Sequence, residues 1–150
     1  MQVSAEFFKF TKVVPLHPVN RLEDACARRD RIFSALAEKV FDNPRLLDLL
    51  AIKLRHWLKK EKSEFAYALA GYTYYLREDF LKAEEFFLRA LNECPQNLDN
   101  WFDLAFALYH QDEKKHNLGK KILFNFDYCI KVFNKKRVDL ETIEDRLKGL

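Results

Sequence analysis

Four histidines, His17, His56, His110 and His116, are the first side chains to weigh for metal or proton chemistry. A metal site needs ligands at spacings that bring them to one point, as in HExxH or paired Cys/His motifs. The chain has no such spacing, and His110 and His116 stand six residues apart across a polar stretch. Serine occurs only at 4, 34 and 63 and never inside GxSxG, so no acyl-transfer nucleophile is indicated. Glu84-Glu85 and Asp112-Glu113 are adjacent pairs. Neighbouring side chains diverge on a helix, so neither pair makes a carboxylate dyad. No two glycines lie close enough for a phosphate loop. The expectation is a chain with no catalytic residues, no metal and no cofactor, and therefore not an enzyme.

Cys26, Cys94 and Cys129 are odd in number and none forms CxxC, which reads as reduced thiols in a reducing compartment. The start, Met1 to Phe8, lacks the basic opening and long apolar run of a signal peptide. No apolar stretch approaches the ~18 residues of a membrane span. A cytoplasmic, soluble protein is expected.

Charge is distributed unevenly. Residues 1–63 hold 13 Lys/Arg and 8 Asp/Glu, residues 64–110 hold 3 and 8, and residues 111–150 hold 10 and 7. An acidic middle between basic ends suits electrostatic complementarity to a partner or to a second copy. It equally suits charge spread over solvated helix faces. Basic runs occur at Lys59-Lys60-Glu61-Lys62, Lys114-Lys115, Lys120-Lys121 and Lys135-Lys136-Arg137. Cations at helix ends are favoured by the helix dipole, which accounts for these runs more simply than nucleic-acid contact does.

The elements that must position any site are helical. Glycine is 3 of 150 residues and proline 4, too few for the many tight turns of a strand-rich fold. Residues 1–19, with Phe7, Phe8, Phe10, Val13, Val14 and Leu16 broken by Pro15 and Pro18, read as an arm that docks on the body. Residues 20–150 read as one domain of seven helices. Asn20 caps the first, and Asp42-Asn43-Pro44 ends it and starts a second that runs to about Glu61. A third starts near Ser63, a fourth spans about Phe80 to Cys94, and a fifth about Leu98 to His110. A polar loop from Gln111 to Asn117 is followed by a Leu118, Ile122, Phe126, Ile130, Phe133 stripe for a sixth. A last helix carries Leu140, Ile143, Leu147 and Leu150 on one face.

An internal repeat narrows the architecture. Tyr67 and Trp101 are 34 residues apart, and the same offset pairs Ala70 with Leu104, Gly71 with Ala105 and Tyr74 with Leu108. With this period and the run Tyr67, Ala70, Gly71, Tyr74, Ala83, Phe87, Ala90 and Pro95, the sequence resembles the tetratricopeptide repeat (TPR) family. The match is best over 64–97, where only Ala70 departs, from the usual Leu. A second repeat over 98–133 matches through Leu108, then meets Asn117 and Lys121 where Ala and Phe are usual, which reads as an insertion near 111–117.

The resemblance implies an all-α fold, a short right-handed superhelix of about three helix pairs plus a C-terminal capping helix. It implies that Tyr67, Gly71, Tyr74, Ala83, Phe87, Ala90, Pro95, Trp101 and Ala105 are packing residues. It also implies that the first helix of each repeat lines a concave groove. In that register Phe65, Ala68, Tyr72, Tyr75 and Leu76, then Asp99, Phe102, Phe106, Tyr109 and His110 face it, with Asp103 on its flank. Some TPR proteins grip a C-terminal carboxylate with Lys and Asn. The corresponding Ala68, Tyr72, Asp99 and Asp103 make such a clamp, and the chaperone-tail adaptor role that goes with it, an unfavoured reading.

The function expected is a non-catalytic interaction module, an adaptor, assembly factor or chaperone that binds a polypeptide segment in the aromatic groove. The alternative is a scaffold subunit contacting acidic protein or nucleic acid through its basic ends. Self-association is a further route. Whether the arm already fills the groove is open at this level.

Overall fold

The computed structural model describes residues 22–134 and 137–150, with side chains from Arg31 onward. The N-terminal arm and the Asn20 cap lie outside the described residues, as does the Cys26 side chain. Eight α-helices and no strand make up the described residues. They are α1 (Leu22–Asp42), α2 (Leu46–Leu58), α3 (Glu64–Leu76), α4 (Phe80–Glu93), α5 (Leu98–Tyr109), α6 (Glu113–Phe124), α7 (Phe126–Val132) and α8 (Leu140–Leu147).

Polar caps fix most of the helix starts. Ser63 Oγ accepts from Ala66 N at 3.2 Å, and Asp79 Oδ1 accepts from Lys82 N at 3.2 Å. Asn97 Oδ1 accepts from Asp99 N at 3.0 Å, and Asp112 Oδ1 accepts from Lys115 N at 3.0 Å. Asp139 and Thr142 form a reciprocal capping box on α8. Each contact satisfies a backbone N–H that the first helical turn leaves without an intrahelical partner. The second helix differs from expectation. Its cap position is Arg45, and Asn43, two residues earlier, accepts from Arg45 N through Oδ1 at 3.3 Å.

Two further expectations are corrected. Residues 113–117 are helical, not loop, because Asp112 caps the chain directly after a two-residue turn. The last apolar stripe is also broken. Asn125 ends α6, donating Nδ2 to Lys121 O at 2.7 Å, and α7 starts at the next residue. The break turns Cys129 fully inward while Ile130 is only half-buried.

Packing follows chain order: α2 on α3, α3 on α4, α4 on α5 and α5 on α6. α1 reaches both α2 and α3, α7 reaches α5 and α6, and α8 reaches α6. Small residues mark the closest crossings. A Cβ added to Gly71 would lie 2.5 Å from the Phe87 ring, and Ala83 and Ala90 are fully buried beside it. On the next crossing the small residue sits on the other helix: a Cβ at Gly119 would lie 2.6 Å from Ala105 O. Gly119 stands 36 residues after Ala83, two later than the 34-residue spacing, so α6 meets α5 two residues late.

Two polar knots join the helices. Glu64 Oε1 accepts from Asn97 Nδ2 at 2.6 Å and from Asn100 Nδ2 at 3.1 Å. Asn100 Nδ2 also lies 3.2 Å from Ala90 O and 3.1 Å from Cys94 O, so one buried amide bridges α3, α4 and α5. Trp101, fully buried, donates Nε1 to Pro95 O at 2.8 Å and packs its ring on Phe133. Further on, Asn92 donates Nδ2 to Val138 O at 2.8 Å and accepts from Val138 N at 2.6 Å. That pairing copies a β-ladder and pins the segment leading into α8.

Candidate functional site

The candidate groove is the face shared by α3 and α5, with the side chains that the TPR resemblance assigns to it. On α3, Phe65, Tyr72 and Tyr75 are half-buried. Phe33 of α1 stacks on Tyr72, with centroids 4.4 Å apart and 11° between planes, and tilts against Phe65 at 6.4 Å. Ala68, placed on the groove by register, is fully buried in the core that contains Phe33 and Trp57. α1 therefore covers the N-terminal half of the α3 face.

On α5, Phe102 is half-buried and meets the edge of Phe126 from α7 at 5.2 Å. Phe106 and Tyr109 stay open, at 45% and 41% exposure. Tyr75 forms the rim between the helices. Its hydroxyl lies 2.9 Å from His110 Nε2, and His110 stacks on Phe80 at 4.6 Å. His116 packs on Tyr109 at 4.1 Å and donates Nδ1 to Tyr109 O at 2.7 Å.

Asp99 and Asp103 share one side of α5, one turn apart. Burial, and then the charge of Asp103, raises the ionisation of both Tyr72 and Tyr75 above the ordinary phenol value. Asp103 is therefore near enough to the α3 tyrosines for its charge to act on them. Asp99 Oδ2 is buried and has no hydrogen-bond partner. Neither α3 nor α5 contains a lysine or arginine. The face is aromatic and carries net negative charge.

Of the nine expected packing positions, eight lie on helices and Pro95 lies in the turn between α4 and α5. Gly71, Tyr74, Ala83, Phe87, Ala90, Trp101 and Ala105 are buried, and Tyr67 and Pro95 are half-buried. Phe33, Phe80 and Phe126 border the groove and were not anticipated from sequence. Each comes from an element separate in sequence from α3 and α5, so no local spacing signals it.

A second hollow of about 680 Å³ lies where Tyr67, Arg89, Asn92, Cys94, Gln96 and Arg137 meet. Several of its polar groups are engaged internally. Arg89 pairs with Glu85 at 2.9 Å, Gln96 Nε2 donates to Ile130 O, and Asn92 holds Val138. Among the described residues no three His, Cys, Asp or Glu gather closely enough for a metal ion. Among them, no helix is long and apolar enough to cross a membrane. No family model matches the chain, and neither the curated proteins nor the solved structures give a significant match.

Proposed function

We propose that the chain is a short TPR-like right-handed solenoid acting as a non-catalytic, cytoplasmic interaction module. It holds a polypeptide segment of a partner against the α3–α5 face. The observation that carries the reading is the pair of open rings, Phe106 and Tyr109, set beside Asp103 on a face with no cation of its own helices. Aromatic rings give large contact area at low entropic cost, which is why they anchor binding hot spots. The neighbour-to-neighbour helix order and the 34-residue spacing of Tyr67 and Trp101 support the solenoid part of the reading.

The test compares capture of cellular proteins by the natural chain and by the Phe102→Ala, Phe106→Ala double variant, with circular dichroism as the folding control. The reading expects specific partners lost in the folded double variant. Equal capture by both proteins refutes it.

A further inference from the structure

The exposed side of α6 and α7 forms a second surface. We propose that it binds single-stranded nucleic acid, with phosphates on Lys120, Lys121 and Lys131 and bases stacked on Phe124 and Tyr128. The inference stands apart from the peptide-binding reading and uses none of its residues.

Open rings are the first argument. Phe124 is 82% exposed and Tyr128 39%. Phe124 follows the buried Ile122 by two residues, which turns it to the opposite side of α6. Asn125 then ends that helix, and Tyr128 follows on α7. Neither ring stacks on another aromatic side chain among the described residues.

Cations beside the rings are the second argument. Lys120 and Lys121 precede Phe124 by four and three residues, so both adjoin it on the helix surface. Lys131 follows Tyr128 by three and adjoins it in the same way. Lys114 is paired with Glu144, Lys115 with Glu84 and Lys148 with Asp145. Lys120, Lys121 and Lys131 have no ion pair among the described residues. Lys121 also lines a hollow of about 210 Å³ between α6 and α8, where three lysines, 114, 121 and 148, stand with one acid, Glu144. The helix dipole accounts for Lys121 in the last turn of α6. It gives no reason for an open phenylalanine beside it.

Charge and planarity together select the occupant. A single strand offers phosphates to the lysines and an unpaired base to each ring, the combination by which sequence-tolerant strand binders work. An acidic peptide satisfies the lysines and leaves the rings without a flat partner. A lipid surface calls for a continuous apolar helix face, and here lysines interrupt it.

The experiment titrates the full chain into fluorescein-labelled oligothymidylate and oligouridylate of about 12 nucleotides and reads anisotropy. At least one strand should bind at about 50 mM salt and be released as salt rises, and the tighter of the two names the sugar recognised. Phe124→Ala should weaken binding about tenfold, and Phe124→Trp should keep it. The triple variant Lys120→Gln, Lys121→Gln, Lys131→Gln should flatten the slope of log affinity against log salt by about 2, at ~0.7 per phosphate contact. All the altered side chains are exposed or half-buried, so circular dichroism should not change. No binding at low salt overturns the inference, as does binding indifferent to these variants. Equal affinity for a duplex of the same length overturns it, because paired bases cannot reach the rings. Tighter binding of oligoglutamate or of phosphatidylserine vesicles than of either strand assigns the face to another class of partner and overturns it too. So does self-association of the chain that the same variants abolish.

Discussion

Gly71 and Phe87 are in contact at the α3–α4 crossing, where the ring occupies the space that a side chain at 71 would need. Gly71→Ala puts a methyl 2.5 Å from Cδ1 of that ring. A core ring has little room to yield, so the variant should lose about 1–3 kcal/mol in denaturant unfolding. Adding Phe87→Leu should recover part of the loss, giving a double-mutant coupling energy clearly different from zero. Additive losses would mean that the two residues do not meet.

Glu78 is the one non-glycine residue with positive φ among those described, at 62°. It sits where α3 closes, with Asp79 N bonded to Tyr74 O and Glu78 N to Tyr75 O, a position that favours glycine. Glu78→Gly should therefore stabilise the chain by about 1 kcal/mol despite the added freedom of the unfolded state. A melting temperature that falls would contradict the assignment.

Glu84 is 7% exposed and lies 2.9 Å from Lys115 and 3.1 Å from Gln111, linking α4 to the start of α6. Glu84→Ala takes the carboxylate from Lys115, which keeps only its bond to Gln111 Oε1, and should cost about 1–3 kcal/mol. The loss should change little between low and high salt, because a largely buried pair is weakly screened. A loss that vanishes at high salt would class the pair as a surface contact.

The helix pattern was largely readable because Ser63, Asp79, Asn97 and Asp139 announce their helices locally. The start of α6 was hidden by Lys114, Lys115, His116 and Asn117, four polar residues that read as loop although Asp112 was there to cap them. The site was legible only in part. The register implied by the TPR resemblance put Phe106 and Tyr109 on one face, but the stacking of Phe33 on Tyr72 joins residues 39 apart with no shared period. The same holds for Asn92 and Val138, which meet only after the tertiary fold exists.

Asn92→Asp should loosen the C-terminal cap specifically. The substitution replaces the donor to Val138 O and Leu88 O with an acceptor, so a favourable pair becomes repulsive. Hydrogen exchange at the Val138 amide and in α8 should rise well above that in α3 and α4. Uniform acceleration through the whole chain would instead indicate a global loss of stability.

Burial pushes the Cys129 thiol up to about 11. A neutral thiol is therefore favoured by folding. The contribution is fully present below the ordinary thiol value of 9.0 and is lost as pH rises through about 11. Stability should fall in that window, and Cys129→Ala should flatten the slope. Thiol reagents at pH 8 should label Cys129 only after unfolding. Prompt labelling of the native chain would refute this.

The Asn100 amide has a mechanical consequence. By tying Glu64 to the last carbonyls of α4 from within α5, it removes the freedom of successive helix pairs to rock against each other. The N-terminal ends of α3 and α5 are thus held fixed against the end of α4. Adjustment of that face is left to its margin, where the half-buried Phe126 ring of α7 has more room to turn than Phe33, which is held in the core against Tyr72.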